Sequence, residues 1–305
     1  MEISPSSTSL QYQFRSISLP CRLHPQTTKI EVELTKLKNL QSAIVSSTIP
    51  TSGETIRTGP TGIVGLIKLY NFVEELVNSS ITQHALVQHG KGVLLEEALN
   101  GSIRLLDSCN LGRDLLLMLK DSVQDLQSVL RRKGGDLAIE RTIMAYNSTR
   151  KKVKRESAKC LRVLRKMEKQ IKSCSLLDVS FHLSSVIRVF REVSNITISV
   201  LRSLFFFLSA PDPRTRSGGW SLIKKCVVTR PKGDNIVNEF GSADVALQSI
   251  LHGCFRNNIP NIDVQTTRKR LEALGCSMEG LESGLDRLYR KLIQNRVSLL
   301  NIFAQ

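Results

Sequence analysis

The sequence has few aromatic residues and no paired cysteines. Aromatic side chains make up 5% of the 305 residues, and Trp220 is the single tryptophan. Leucine must supply most of the core, which favours helices packed on helices over sheets. The seven cysteines stand singly, without a CxxC pair, which argues against a disulfide framework and a zinc ribbon. This usage predicts a reducing, intracellular compartment, with a cytoplasmic or membrane-peripheral location favoured.

The chain also lacks a long apolar run. A membrane-spanning helix needs about 20 apolar residues, and the nearest approach, residues 196–208, is interrupted by Arg202. The first 15 residues have no apolar run, so we expect no secretory signal. Residues 1–30 are rich in Ser and Thr and contain Glu2 as their only acid. That composition resembles a plastid transit peptide, and it fits a disordered tail equally well.

Motifs that carry catalysis or ligand binding are missing. There is no HExxH, GxSxG or P-loop sequence. His84 and His89 are five residues apart and would lie on different faces of a helix, while His252 and Cys254 lack further metal ligands. The remaining charges form no acid, base and nucleophile set. We therefore expect no enzyme activity, no cofactor and no metal site.

Leucine-rich helical spacing recurs along most of the chain and predicts an all-α protein, an antiparallel bundle of long helices. Residues 1–60 are predicted to be a disordered Ser/Thr-rich tail, with one short helix near residues 31–40. Residues 61–305 are predicted to form a single domain, with a flexible loop region at about 210–260. The helices expected within it are 62–77, 82–86 capped by Thr82, 93–109, a break at 110–112, 115–130, 136–172 capped by Asp136, 176–208 and 242–254.

The C-terminal segment has the most regular pattern. Its apolar residues alternate steps of three and four over four heptads, with one polar interruption: Leu271, Leu274, Met278, Leu281, Leu285, Leu288, Leu292, Asn295 and Leu299. This pattern is typical of a bundle helix packed on its own chain, and also of a coiled coil. The second interpretation would give a homo-oligomer through residues 271–299.

Residues 150–172 hold eleven Lys or Arg and two acids. The excess positive charge of this segment is more than half of the net charge of +16 of the chain. On a helix, one stripe of this segment is apolar or small and should be buried: Val153, Ser157, Cys160, Leu164, Met167 and Ile171. The bases lie on other sides of the helix. The residues that we expect to contact an acidic partner are Lys151, Lys152, Lys154, Arg155, Lys159, Arg162, Arg165 and Lys166.

Four interpretations of this basic segment remain open: a solvated face, a docking surface for a protein, an anionic membrane contact, and a nucleic-acid contact. The adjacent Phe205, Phe206 and Phe207 would either insert into a membrane or belong to the core. A basic-zipper reading fails, because Lys154 stands where such regions carry asparagine, and Asp178 and Ser185 break the zipper repeat. Nucleic-acid binding is therefore the least favoured.

The chain resembles the plant-specific BYPASS-like proteins, whose biochemical activity is unknown. The resemblance runs nearly end to end in the same order, through the segments RSISLPCRLHP (15–25), LYNFVEELV (69–77), TQHAL (82–86), residues 94–136, YNSTRKKVKRESAKCLRVLRK (146–166), VFREVSNITISVLRSL (189–204), WSLIKK (220–225) and residues 281–302. It implies a helical, non-enzymatic protein linked to root and shoot development, with protein partners and no catalytic residues. Residues 77–83 and Asn295 depart mildly from the family pattern.

Overall fold

The computed structural model describes residues 25–46, 52–89, 93–132, 135–173, 181–209, 238–255 and 261–304. Within these ranges the chain forms helices and no strand, which confirms the all-α class. The helices are α1 (Pro25–Ser46), α2 (Ser52–Val77), α3 (Ser80–His89), α4 (Val93–Arg131), α5 (Asp136–Ser173), α6 (Phe181–Leu208), α7 (Glu239–Phe255) and α8 (Asn261–Phe303).

The helix α4 lies at the centre and is antiparallel to both α5 and α8. Two hydrogen bonds fix its direction against α5: Arg104 to Gln170 at 2.8 Å and Ser122 to Thr149 at 3.1 Å. Two more fix it against α8: Cys109 to the Leu285 carbonyl at 3.8 Å and Gln127 to the Leu271 carbonyl at 3.0 Å. The antiparallel packing expected of the bundle is therefore present in its core, both between the sequence neighbours α4 and α5 and between the remote helices α4 and α8.

Some helices that are distant in sequence run parallel. Ile63 of α2 packs against Gly284 of α8. Further toward the C-terminus of both helices, Glu74 of α2 forms an ion pair of 3.2 Å with Lys291 of α8, so the two helices run parallel. The ion pairs that place α1 parallel to α6 are Glu31–Arg188 and Lys38–Glu192. The bundle thus combines antiparallel neighbours with parallel contacts between remote helices.

The short helix expected near residues 31–40 is present within α1, and residues 25–30, 41–46 and 52–60, which composition assigned to a disordered tail, are helical as well. Within α1, Ile30, Leu34 and Leu37 are spaced by four and three residues and are buried against α2 and α6. This short apolar stripe is diluted by the surrounding Ser, Thr and Lys residues, so average composition hides it. The packed bundle therefore includes α1 and begins before residue 61; residues 1–24 lie outside the described part.

The break expected at residues 110–112 is wrong, because α4 is one continuous helix of 39 residues. Gly112 lies where α4 meets α6, and a Cβ atom there would be 2.9 Å from a methyl carbon of Leu204. The glycine allows two helices to approach closely rather than ending one of them. Its helix-propensity penalty of about 1 kcal/mol relative to alanine is offset by this packing.

The turn between α2 and α3 differs from the expectation in its cap. Ser79, which precedes the helix, accepts a hydrogen bond from the backbone N–H of Thr82 at 3.4 Å and acts as the N-cap. Thr82 itself is buried, and its hydroxyl lies 2.8 Å from that of Ser79 and 3.4 Å from Nε2 of His182. The hydroxyl predicted as a cap therefore links α3 to α6.

The apolar stripe of α8 is buried within its own chain. Every Leu and Met of the predicted heptad pattern is at most 4% exposed, and α2, α4 and α7 cover it. This burial favours the bundle-helix interpretation over an extended coiled coil. Asn295, the polar interruption, is half-buried, and its Oδ1 has no hydrogen-bond partner within the described residues.

The remaining boundaries agree with the expectations. α4 ends at Arg131, and α5 spans Asp136–Ser173. α6 ends at Leu208, and α7 covers the predicted short helix at 242–254. Within the region 210–260 that was expected to be a flexible loop, residues 239–255 are therefore helical, and residues 210–237 and 256–260 lie outside the described part. Among the described residues, none of the helices is both long and apolar enough to cross a membrane.

Candidate functional site

The helix α5 has two chemically different sides. The stripe predicted to be buried is buried from Val153 to Met167, and Ile171 packs partly buried at its end. On the opposite side, six bases at steps of four, four, three, four and three residues are all exposed: Lys151, Arg155, Lys159, Arg162, Lys166 and Lys169. We refer to these six residues as the basic stripe.

The eight predicted contact residues divide between the stripe and its flanks. Five of them belong to the stripe, and Lys152 is exposed beside it. Lys154 and Arg165 are half-buried, and Nζ of Lys154 is 3.8 Å from the Asp244 carboxylate. Lys154 is therefore turned toward α7 and contributes to packing of the bundle. Lys169 is not among the predicted contact residues, but it is exposed and belongs to the basic stripe.

One acid lies beside the basic stripe. Glu156 accepts hydrogen bonds of 3.1 Å from Arg155 and of 3.1 Å from Lys159. These two cations, Lys159 first, lower the pKa of Glu156. No ion pair joins the other four bases of the stripe to an acid in the described ranges of the chain. The stripe therefore presents more positive charge than its own helix neutralises.

Arg150 begins the basic segment but points into the bundle, where its side chain is 3% exposed. Its guanidinium meets Asp244 of α7 in a forked ion pair, with Nε 3.2 Å from Oδ1 and Nη2 3.1 Å from Oδ2. Nη1 donates to the Leu208 carbonyl at 2.6 Å, and the guanidinium lies 4.6 Å from the centre of the Phe240 ring. One arginine thus joins α5, the end of α6 and α7.

Tyr146, one turn before Arg150, completes this buried cluster. Its hydroxyl donates to Oδ1 of Asp244 at 2.7 Å. Burial first, and then the negative charge of Asp244, raise the pKa of Tyr146 well above its usual value, so the group remains a neutral donor. The carboxylate of Asp244 is thereby satisfied by both a cation and a hydroxyl, as a buried charge requires.

Sequence reasoning missed this cluster although a signal for it exists. The buried stripe of α5 continues backwards at steps of three and four through Arg150, Tyr146 and Ile143. A base on a buried stripe requires a buried acid, and Asp244 is the acid in the interior of the apolar helix α7, beyond Glu239 in its first turn. The chain fixes the orientation of α5 at this point, and therefore fixes which bases face outward.

The phenylalanine triplet belongs to the core rather than to an exposed surface. Phe205 is fully buried, and Phe206 and Phe207 pack partly buried against the core. The ring of Phe207 lies edge-on to that of Phe240, with 5.2 Å between the ring centres. Membrane insertion of the triplet would require these contacts to break.

The described residues also contain no group of three or more His, Cys, Asp or Glu side chains arranged to hold a metal ion. Burial raises the pKa of the Cys109 thiol to about 12 and also raises that of Cys160. Both thiols are therefore protonated at neutral pH. Their place is in the core, where Cys160 belongs to the buried stripe of α5.

A family model described as Protein BPS1 matches residues 62–302, from α2 almost to the end of α8. No curated protein and no solved structure matches the chain. The match covers α5, α7 and both members of the Arg150–Asp244 pair, so it includes the candidate surface and the cluster that orients it. It spans well over half of the chain, and the chain therefore belongs to the Protein BPS1 family.

Proposed function

We propose that this chain acts in plant development as a non-catalytic interaction protein, and that the basic stripe of α5 is its docking surface for an acidic protein segment. The observation that carries the proposal is the separation of charge on α5. Six bases face outward from a helix whose other side is fixed in the core by apolar packing and by Arg150.

The dimensions of the basic stripe suit a helical or extended peptide. It runs from Lys151 to Lys169, which is about 27 Å at a rise of 1.5 Å per residue. Because α5 is held along its whole buried side, its backbone loses little entropy when a partner binds. Exposed bases on a rigid helix provide charge complementarity and rapid association more than tight affinity. We therefore expect reversible binding that weakens as salt concentration rises.

The developmental and non-catalytic parts of the proposal rest on other grounds. Membership of the Protein BPS1 family supports the role in plant development that the resemblance to BYPASS-like proteins implies. The sequence has none of the nucleophile, metal or phosphate-binding motifs on which an enzyme assignment would rest. A scaffold function needs only the surface described above.

An anionic membrane surface is the second candidate for the same stripe. Each Lys or Arg near acidic headgroups contributes about 1 kcal/mol. The apolar side of α5 and the Phe205 ring are buried, so this contact would be electrostatic and without insertion. A protein partner could bind the stripe without needing apolar insertion, and we therefore prefer it to a membrane surface. Nucleic-acid binding ranks third and would show a steep salt dependence.

The test is binding of a fluorescent, glutamate-rich helical peptide, measured by anisotropy at low and at physiological salt. Lys151→Glu/Arg155→Glu/Arg162→Glu should lose at least tenfold in affinity. Lys269→Glu/Arg287→Glu/Arg290→Glu is the matched control, because it makes the same charge change at exposed bases of α8. Binding that survives the α5 change, or is lost equally in the control, would overturn the proposal.

Flotation with vesicles of phosphatidylserine and phosphatidylcholine separates the second candidate from the first. The wild-type chain should remain with the soluble fraction at physiological salt, because the stripe can contact headgroups only through charge. Strong flotation that the α5 variant abolishes, combined with no binding to the acidic peptide, would replace the protein partner with the membrane surface.

A further inference from the structure

The surface beside the basic stripe is acidic. On α4, the antiparallel neighbour of α5, four aspartates lie on one exposed side at steps of seven, seven and four residues: Asp107, Asp114, Asp121 and Asp125. We refer to them as the acidic stripe. In the described part of the chain no ion pair joins them to a base, and Asp114 accepts only a 3.4 Å hydrogen bond from Asn110 of its own helix.

The two stripes have the same length and face the same way. Each spans 19 residues, or about 27 Å from the first Cα to the last. The side of α4 that contacts α5 carries Ser122 and Arg104, and the acidic stripe lies about 80° around the helix from it, on the exposed side. The basic stripe stands in the corresponding position on α5. The α4–α5 layer therefore presents one acidic and one basic ridge side by side.

The register between α4 and α5 brings their charges level. Arg104 meets Gln170 and Ser122 meets Thr149, so a step forward on α4 corresponds to the same step backward on α5. By this count three acids of the acidic stripe stand level with three bases of the basic stripe: Asp107 with Lys166, Asp114 with Lys159, and Asp121 with Lys151. Each of these three acids on α4 thus lies beside a base on α5 at the same height along the layer.

From these observations we infer that the chain forms a two-fold dimer, in which the acidic stripe of α4 from each copy lies on the basic stripe of α5 from the other. A two-fold axis parallel to the helices, between α4 and α5, places each α4 over the partner's α5 at the same height. An axis across the helices would place like charges together. This inference rests on the proposed function and names the acidic segment as that of a second copy.

Exposed apolar side chains support a protein contact at this layer. Of the eleven large apolar residues that are exposed in the described part, five lie on α4 or α5: Ile103, Leu117, Leu137, Met144 and Val163. Leu117 is 52% exposed among the aspartates, and Val163 is 47% exposed beside the bases. Charged ridges with exposed apolar residues beside them are typical of a reversible protein interface.

The area of the layer sets the expected strength. Each copy would contribute two helix faces of about 27 Å by 10 Å to the contact. The area that they bury is at the lower limit for specific protein interfaces. The chain also carries a net charge of +16, so the two copies repel each other outside the matched stripes. We therefore expect a dimer with micromolar affinity, sensitive to salt, rather than a permanent one.

Sedimentation velocity of the full chain at several concentrations and salt levels tests the inference. The acidic-stripe variant is Asp107→Lys/Asp114→Lys/Asp121→Lys, and the basic-stripe variant is Lys151→Glu/Lys159→Glu/Lys166→Glu. The wild type should form a dimer at low salt, and each variant alone should sediment as a monomer. An equal mixture should regain the dimer, because each variant then meets opposite charge at both ridges.

The mixture is a specific test because both variants keep a positive formal charge: three reversals change the +16 of the chain by only six. A wild type that is monomeric at every salt level, a variant that still dimerises alone, or a mixture that stays monomeric would each overturn the inference. The acidic-stripe variant should still bind the glutamate-rich peptide, whereas the basic-stripe variant should not. A monomeric wild type that binds the peptide would therefore refute the dimer while the proposed function stands.

Discussion

The helices α5 and α8 have similar length and the same kind of buried stripe, yet they use their charges differently. α5 has 38 residues and α8 has 43. Charged residues on the flanks of α8 pair across helix contacts: Asp286 with Arg113 at 2.6 Å, Glu282 with Lys120 at 2.6 Å, and Lys291 with Glu74 at 3.2 Å. Of the six bases in the basic stripe of α5, only Arg155 and Lys159 form ion pairs within the described residues, both with Glu156 of the same helix.

The comparison teaches that a regular stripe identifies a core helix but does not say what the other side does. In α8 the stripe is apolar except for Asn295, and the flanking charges attach it to α2 and α4. In α5 the stripe includes Arg150, whose pairing with Asp244 fixes the rotation of the helix. Pairs of Lys or Arg with a carboxylate thus hold both helices in place, and α5 carries in addition an outward row of bases of which only two pair with an acid in the described part of the chain.

The largest expected effect comes from removing the acid that orients α5. Asp244→Ala leaves the Arg150 guanidinium buried and uncompensated, and we expect a loss of about 3–5 kcal/mol in the free energy of unfolding, measured by urea denaturation. Asp286→Ala removes the acid of a half-exposed α8 pair and should lower it by less than about 1 kcal/mol. Equal losses would mean that the two helices do not use charge differently.

Arg150→Met/Asp244→Leu sharpens this result. Replacing both charges by apolar groups removes the uncompensated cation, so the double variant should regain most of the stability that Asp244→Ala loses. If the double variant is as unstable as Asp244→Ala, packing around α7 rather than the buried charge explains the loss.

The second effect concerns the apolar stripe of α8. Leu288 is fully buried, and Leu288→Ala should lower the free energy of unfolding by about 2–5 kcal/mol. Leu300, on the same helix but 40% exposed, is the matched control, and Leu300→Ala should change stability by less than about 0.5 kcal/mol. Similar small effects at both positions would show that α8 is not held by its stripe.

A smaller effect on the free energy of unfolding is expected at alkaline pH. It comes from the Cys109 thiol, which is buried between α4 and α8. Burial raises the pKa of this thiol from 9.0 to about 12 in the folded chain. The contribution of the neutral thiol to the free energy of unfolding is therefore complete below pH 9. It is lost between pH 9 and pH 12, at about 1.4 kcal/mol per pH unit. Cys109→Ala should flatten the fall in stability between pH 9 and pH 10. Cys276→Ala, at an exposed thiol, should leave that slope unchanged.

Much of the fold could be predicted from apolar spacing. The helices α5 and α6, the stop at Arg131 and the complete stripe of α8 follow from local periodicity, because a buried side repeats every three or four residues. The role of Gly112 and the full extent of α1, of which only residues 31–40 are predicted, could not be assigned in this way. Whether a glycine breaks a helix or lets Leu204 approach depends on a partner that is distant in sequence. The stripe of α1 is too short to stand out from the polar residues around it.

The candidate surface could be predicted in part. The list of contact residues contained five members of the basic stripe, because bases opposite an apolar stripe must face outward. The sequence alone places Lys154 on the contact surface and gives Arg150 no role, because nothing near either residue in sequence reveals Asp244. The acidic stripe is not evident in the sequence because its aspartates are four or seven residues apart and form no charge cluster.

The most direct test compares two arginines on the same helix. Arg162→Glu, in the basic stripe, should leave the free energy of unfolding within about 0.5 kcal/mol of the wild type and weaken binding of the glutamate-rich peptide. Arg150→Glu places an acid against Asp244 in the core and should lower stability by at least about 3 kcal/mol. A destabilised Arg162→Glu, or an Arg150→Glu chain as stable as the wild type, would contradict the assignment of one side of α5 to the core and the other to a partner.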